Sequence, residues 1–116
     1  MSADRELLEL AAKAAGIAYD GWVEVPMNYG TNDTGLNVDG YRDLWNPLED
    51  DGQALRLAVK LGAQVSIDLA KNCASALLDD GETVPCEWFG KGQQTAEAAT
   101  RRAIVRAAAE IGACHG

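Results

Sequence analysis

Paired carboxylates are the residues of this chain best suited to chemistry. Asp50 precedes Asp51, and Asp79 precedes Asp80. Neighbouring carboxylates could bind a divalent cation or transfer protons. However, the first pair stands where a helix is predicted to begin and the second stands in a predicted turn, and acids are favoured at both places for structural reasons. We therefore expect no catalytic residue and no metal site from either pair.

Cysteine and histidine offer little for catalysis or zinc binding. Cys73, Cys86 and Cys114 are widely spaced, and the single His115 adjoins only the last of them. A zinc site usually takes two ligands from one tight turn, and a Cys–His pair here would lack a third group to orient it. Without a Cys-x-x-Cys pattern or a secretory leader, we expect a reduced cytoplasmic protein with no cofactor.

Three arginines cluster on one predicted helix, at positions 101, 102 and 106. They could clamp a phosphate or a carboxylate. Glu97 stands four residues before Arg101, and Glu110 stands four residues after Arg106, a spacing at which helical side chains pair. The pattern favours a solvated helix face balanced by these two acids, with the phosphate clamp as the alternative.

The polar segment from 27 to 34 is the best candidate for a binding loop. It places Tyr29 among glycine and asparagine residues, and an amphipathic aromatic on an adaptable loop is typical of binding surfaces. A plain hairpin tip is the alternative. The candidate binding residues of the whole chain are Asn28, Tyr29, Asn32, Asp50, Asp51, Arg101, Arg102 and Arg106.

Helical spacing of apolar residues predicts three helices. The first covers 3–15, the second ends at Leu61, and the third covers 95–112. The second has two candidate starts, because Asn46 before Pro47 and Asp50 or Asp51 are all good caps. Its predicted buried face is Ala54, Leu55, Leu57, Ala58 and Leu61.

Alternation of apolar and polar residues predicts five strands, at 21–26, 36–38, 63–70, 73–78 and 83–89. The most regular is 63–70, where Val65, Ile67 and Leu69 share one face. The first two strands form a predicted hairpin and the last three a meander. We therefore predict an α+β domain over 1–116, in the order α-β-β-α-β-β-β-α, with a mobile tail at 113–116.

Size and charge limit the function. The chain has 116 residues and a net charge of −8, which suits one core and argues against binding to nucleic acid or an anionic membrane. No apolar run approaches the roughly 20 residues of a membrane span. Acidity permits a basic protein partner or simply keeps the domain soluble. The large core residues are expected to be Trp22, Trp45, Trp88 and Phe89.

Three blocks of the sequence resemble the phage ABA sandwich domain family. They are RELLELAAKAAGI at 5–17, WNPLEDDGQALRLAVKLG at 45–62 and TRRAIVRAAAEIG at 100–112. The resemblance implies a three-layer sandwich of helix, antiparallel sheet and helix, carried by a phage or prophage. It implies no established activity and no catalytic residues.

We therefore expect a phage accessory protein in the bacterial cytoplasm that acts by stoichiometric contact. Its expected partner is a host protein, such as a basic nucleic-acid-binding component of a defence system. A first alternative is a protein that sequesters a small nucleotide-like ligand with its loop and arginines. A second is a metal-dependent enzyme that uses paired carboxylates. A homodimer could form, because the strand containing Pro85 is a predicted sheet edge.

Overall fold

The computed structural model describes residues 3–24, 34–38, 44–77, 86–90 and 94–114. The helices are α1 (Ala3–Ala15), α2 (Asp51–Leu61) and α3 (Ala96–Cys114). The strands are β1 (Tyr19–Glu24), β2 (Thr34–Val38), β3 (Gln64–Asp68), β4 (Cys73–Leu77) and β5 (Glu87–Trp88). The predicted α+β class and element order are confirmed.

Helix α3 is the central element, because α1, α2 and β4 all pack against it. Its side towards α1 and α2 contributes Ile104, Val105 and Ala108 to the largest core cluster. Its side towards the sheet contributes Ala99, Ala103 and Ala107, which pack on β4 and on Phe89. Alanine has a short side chain, so both neighbours can approach the helix backbone closely.

Helix α2 begins at Asp51, with Asp50 as its cap. The Asp50 carboxylate accepts a hydrogen bond from the backbone N–H of Gln53 at 2.9 Å, which satisfies one of the unpaired donors of the first turn. The helix ends at Gly62, whose left-handed conformation directs its N–H to the carbonyls of Ala58 and Val59. Of the two predicted starts, the later one is confirmed.

The segment before α2 forms a separate turn that is fastened to β2. The backbone N–H groups of Glu49 and Asp50 both donate to the carbonyl of Asn46 at 3.0 Å. Trp45, which is buried, exchanges two backbone hydrogen bonds with Leu36 at 2.8 and 3.0 Å. These bonds position the start of α2 relative to the first hairpin.

The five strands form two small antiparallel sheets, β1-β2 and β3-β4-β5. In the larger sheet, Val65 lies opposite Ala76 and Ile67 lies opposite Ala74. The two alanines are buried beneath α3. On the other face, Gln64 and Ser66 are exposed.

Two side chains predicted to be in the core are on the surface. Trp88 is 55% exposed and Leu55 is 64% exposed. Trp88 lies opposite Cys73, on the face of β4 turned away from α3, and the buried face of α2 excludes Leu55. The prediction for α3 was also wrong at its end, since the helix continues through Ala113 and Cys114.

We expect Gly112→Ala to destabilise the fold, because a Cβ at that position would overlap the carbonyl oxygen of Leu10 where α1 crosses α3. The expected loss is about 1–3 kcal/mol in the free energy of unfolding, measured by urea denaturation. Gly52→Ala is the control: its Cβ would lie 3.3 Å from an oxygen of the exposed Asp50 side chain, which can move by a few tenths of an ångström. Alanine also favours a helix over glycine by about 1 kcal/mol, so no comparable loss is expected. Equal losses in both variants would contradict the close crossing.

Candidate interaction surface

The arginines of α3 connect that helix to its neighbours. Arg101 donates from Nε to the carbonyl of Leu48 at 2.8 Å, and its guanidinium pairs with Asp51. Arg102 pairs with Asp4 of α1 at 2.9 Å. Since these contacts join residues about 50 and 100 positions apart in sequence, the arginines hold α1 and the start of α2 against α3.

Glu87 accepts the contacts of Arg106, at the C-terminal end of the arginine cluster on α3. Glu87 is only 9% exposed; its carboxylate pairs with Arg106 and lies 3.8 Å from Nε of Arg102. The side-chain amide of Gln94 donates to the same carboxylate at 3.1 Å. The network therefore fastens β5 to α3 with charge-assisted hydrogen bonds.

These contacts correct the prediction for the arginine cluster. Within the described part of the chain, its ion pairs are with Asp4, Asp51 and Glu87 and not with the predicted Glu97 and Glu110. The arginine side chains are 16–33% exposed, so they are partly withdrawn from solvent. A ligand phosphate would have to compete with these carboxylates.

Asp50 and Asp51, the first predicted carboxylate pair, bind two different partners. Asp50 caps α2, and Asp51 pairs with Arg101. Over the described ranges, no group of three or more His, Cys, Asp or Glu side chains could hold a metal ion. Several sequence candidates lie outside the described residues, and their roles stay predictions: Asn28, Tyr29, Asn32, Asp79, Asp80 and His115.

An apolar groove lies between α2, β3 and α3, and we name it the α2–β3 groove. Its volume is about 660 Å³. Its apolar lining consists of Ala54, Leu55, Val65, Ile67, Leu69, Ala96 and Ile104, with Thr100 beside them. Asp51, Glu97 and Arg101 supply its charged lining. A groove of this size and composition can take apolar groups of a ligand or apolar side chains of a protein partner.

The groove exists because α3 covers only part of the sheet. Val65 and Ile67 share the face of Ala76 and Ala74, their partners across the strands. The alanines are 1% exposed, whereas Val65 is 39% and Ile67 is 52% exposed. The helix-facing side of β3 therefore extends beyond the cover that α3 provides.

Strand β3 is also an edge strand. It pairs with β4 on one side, and on its other side none of the described strands pairs with it. Unpaired backbone N–H and C=O groups together with exposed apolar side chains are the features by which sheet edges recruit another chain. The alternation of residues in the sequence predicted the shared face of Val65, Ile67 and Leu69, but alternation does not indicate what covers a face.

Cys73 and Cys86 lie close together at the sheet face turned away from α3. Cys73 is buried and Cys86 is exposed, and both are free thiols. Burial raises the pKa of the Cys73 thiol, and the neighbouring Cys86 raises it further. Cys73 should therefore be the less reactive thiol.

Comparison with models of known families, with curated proteins and with solved structures finds no match for this chain. Across the described segments, no helix combines the length and the apolar character that crossing a membrane requires.

We expect Glu87→Gln to lower the free energy of unfolding by about 1–2 kcal/mol, because Arg106 would lose its paired carboxylate and Arg102 would keep only Asp4. A double-mutant cycle with Arg106→Gln should show coupling between the two positions. Glu110→Gln is the matched control, because Glu110 is an exposed acid on α3, the helix that carries Arg106, and this change should affect stability little. A cycle without coupling would show that the ion pair contributes nothing to folding.

Alkylation of the folded protein with N-ethylmaleimide should modify Cys86 several-fold faster than Cys73, because Cys86 is exposed whereas Cys73 is buried and the pKa of its thiol is raised. Peptide mass spectrometry at successive times measures the two rates. In denaturant the rates should converge. Similar rates in the folded state would contradict the burial of Cys73.

Proposed function

We propose that this protein is a non-catalytic binding protein that acts by stoichiometric contact with a basic protein partner. The observation that carries the proposal is the distribution of charge. The chain has a net charge of −8, and the arginines of α3 are engaged in ion pairs within the fold. These three of the ten basic side chains are therefore paired with acids on other elements of the fold.

Among the described residues, seven acids are exposed and five cations are exposed. The exposed acids include Glu49, Glu97 and Glu110. The exposed cations include Arg56 and Lys60, which share one side of α2. A surface with excess negative charge attracts a basic protein over distances comparable to the Debye length, about 8 Å at physiological ionic strength, and speeds encounter.

The negative charge would suit a nucleic-acid-binding protein as partner, because the groove of such a protein is basic and binds phosphates. Occupying that groove would prevent the partner from binding its nucleic acid. The proposal that the partner belongs to a host defence system, and that the chain comes from a phage, depends on the resemblance of the 5–17, 45–62 and 100–112 blocks to the phage ABA sandwich family. Both remain predictions.

No specific observation favours the two alternatives. A nucleotide-like ligand held by Arg101, Arg102 and Arg106 would have to displace Asp51, Asp4 and Glu87. An enzyme that used Asp50 and Asp51 would need both acids at one centre, whereas in the described part of the chain they hold separate partners.

The test is capture of partners from a bacterial lysate on immobilised protein, followed by affinity measurement with the purified partner at low and high salt. We expect salt to weaken binding. Joint neutralisation of Glu49, Glu97 and Glu110 to glutamine should weaken it about threefold or more. The captured partner should also lose its nucleic acid when this protein is added.

The control variant replaces Arg56 and Lys60 with glutamine, which removes exposed cations and leaves the acids unchanged. It should bind as tightly as the original protein or more tightly. Binding that ignores both salt and the acid substitutions would refute a charge-based contact, even if a partner is found.

A further inference from the structure

The unpaired edge of β3 has the properties of an interface. Four of its five residues, Gln64 to Ile67, are exposed, and Asp68 is half-buried. Leu69, directly after the strand, is 73% exposed. Strand edges with this much apolar surface are normally paired, covered or protected by specific devices.

Most of those protective devices are missing from β3. Proteins discourage edge pairing with proline, with charged side chains (lysine above all), with bulges or with very short strands. The sequence QVSID contains neither proline nor lysine, and its single charged residue is Asp68 at the end of the strand. Its pairing with β4 runs through five consecutive partners without a register shift, so the strand presents a regular edge.

The sequence of β3 is complementary to itself in antiparallel orientation. With Ser66 at a two-fold axis, Val65 lies opposite Ile67 of the second copy, and Ile67 lies opposite Val65. Gln64 lies opposite Asp68, where an amide can donate to a carboxylate. Apolar residues therefore meet on one face of the strand pair and polar residues on the other.

Electrostatics also permits this pairing. Asp68 is the single charged residue of β3, and in this register the two Asp68 residues lie four positions apart along the strands. That separation is about 14 Å at 3.4 Å per residue, beyond the Debye length at physiological salt. The local like-charge repulsion is therefore small.

We propose that two copies of this chain associate through their β3 edges, antiparallel about Ser66, and join their three-stranded sheets into one continuous sheet. The exposed Val65 and Ile67 of each copy then cover those of the other along the floor of the α2–β3 groove. This edge differs from the one around Pro85 that the sequence suggested. The contact involves a second copy and does not depend on the proposed basic partner.

Cross-linking tests the register. In a background with Cys86→Ser and Cys114→Ser, Ser66→Cys places two thiols opposite each other at the axis, within the Cα distances that a disulfide accepts. Mild oxidation should convert this variant to a covalent dimer. Gln64→Cys is the matched control, because two such residues would lie about 14 Å apart along the strands, and it should remain monomeric on a non-reducing gel.

Light scattering over a range of concentrations tests the dimer itself. We expect a dimer for the original protein and a monomer for Ile67→Lys, which introduces a charge at the interface. Tyr19→Lys is the control: Tyr19 is also an exposed apolar residue, 39% exposed, but it lies in the β1-β2 sheet, so the dimer should persist. Circular dichroism confirms that both variants fold.

A monomer at all concentrations would overturn the proposal, as would a dimer that survives Ile67→Lys. Preferential cross-linking of Gln64→Cys would overturn the register. A β3 edge that instead takes an extended segment of another protein would leave the purified chain monomeric, and so would also count against pairing of two copies.

Discussion

Close packing around α3 is the constraint on which the rest of the structure depends. This helix contacts α1 and α2 on one side and the β3-β4-β5 sheet on the other. The side of α3 towards the sheet is mainly alanine, the other side combines alanine with Ile104 and Val105, and Gly112 lets the backbone of α1 pass directly over it. Each small residue buries little apolar area. The core therefore gains its stability from many close contacts between small residues, together with a small number of large side chains.

A core of this kind makes polar contacts at its boundary important. The arginines of α3 reach past the alanine surface to Asp4, Asp51 and Glu87 on three other elements. Gln53, buried in α2, bonds the backbone of Leu44 and Asn46. Since buried polar groups are costly when unpaired, these bonds also favour one arrangement of the elements over alternatives.

Local signals predicted the elements well. Asp50 and Gly62 set the ends of α2 through their own side chain or backbone, and neither depends on distant residues. Alternation in β3 and helical spacing in α1 likewise reflect nearest neighbours along the chain. Such features can be predicted from sequence because their physical cause is local.

Contacts between distant residues could not be predicted in the same way. The arginines of α3 stand at helical spacing from Glu97 and Glu110, but they pair with acids far away in sequence. The reason is that α1, α2 and β5 bring carboxylates to that side of α3. Leu55 and Trp88 carry apolar side chains on surfaces that no described element covers. Periodicity identifies a face, whereas the neighbour that covers it depends on the whole fold.

The packing of α3 on the sheet also determines which apolar surface stays exposed. Alanines bring the helix close to β4 and to Phe89. A helix about 10 Å wide spans only about two strands of a sheet, so with α3 over β4 and β5 the third strand, β3, is left partly uncovered. The exposure of the apolar face of β3 is therefore a consequence of the same packing that stabilises the core.

The affinities for a second copy and for a basic partner would respond to salt in opposite directions. Screening relieves repulsion between two chains of charge −8, and it weakens attraction to a cationic protein. Salt dependence therefore distinguishes the two contacts, although both involve the same small domain.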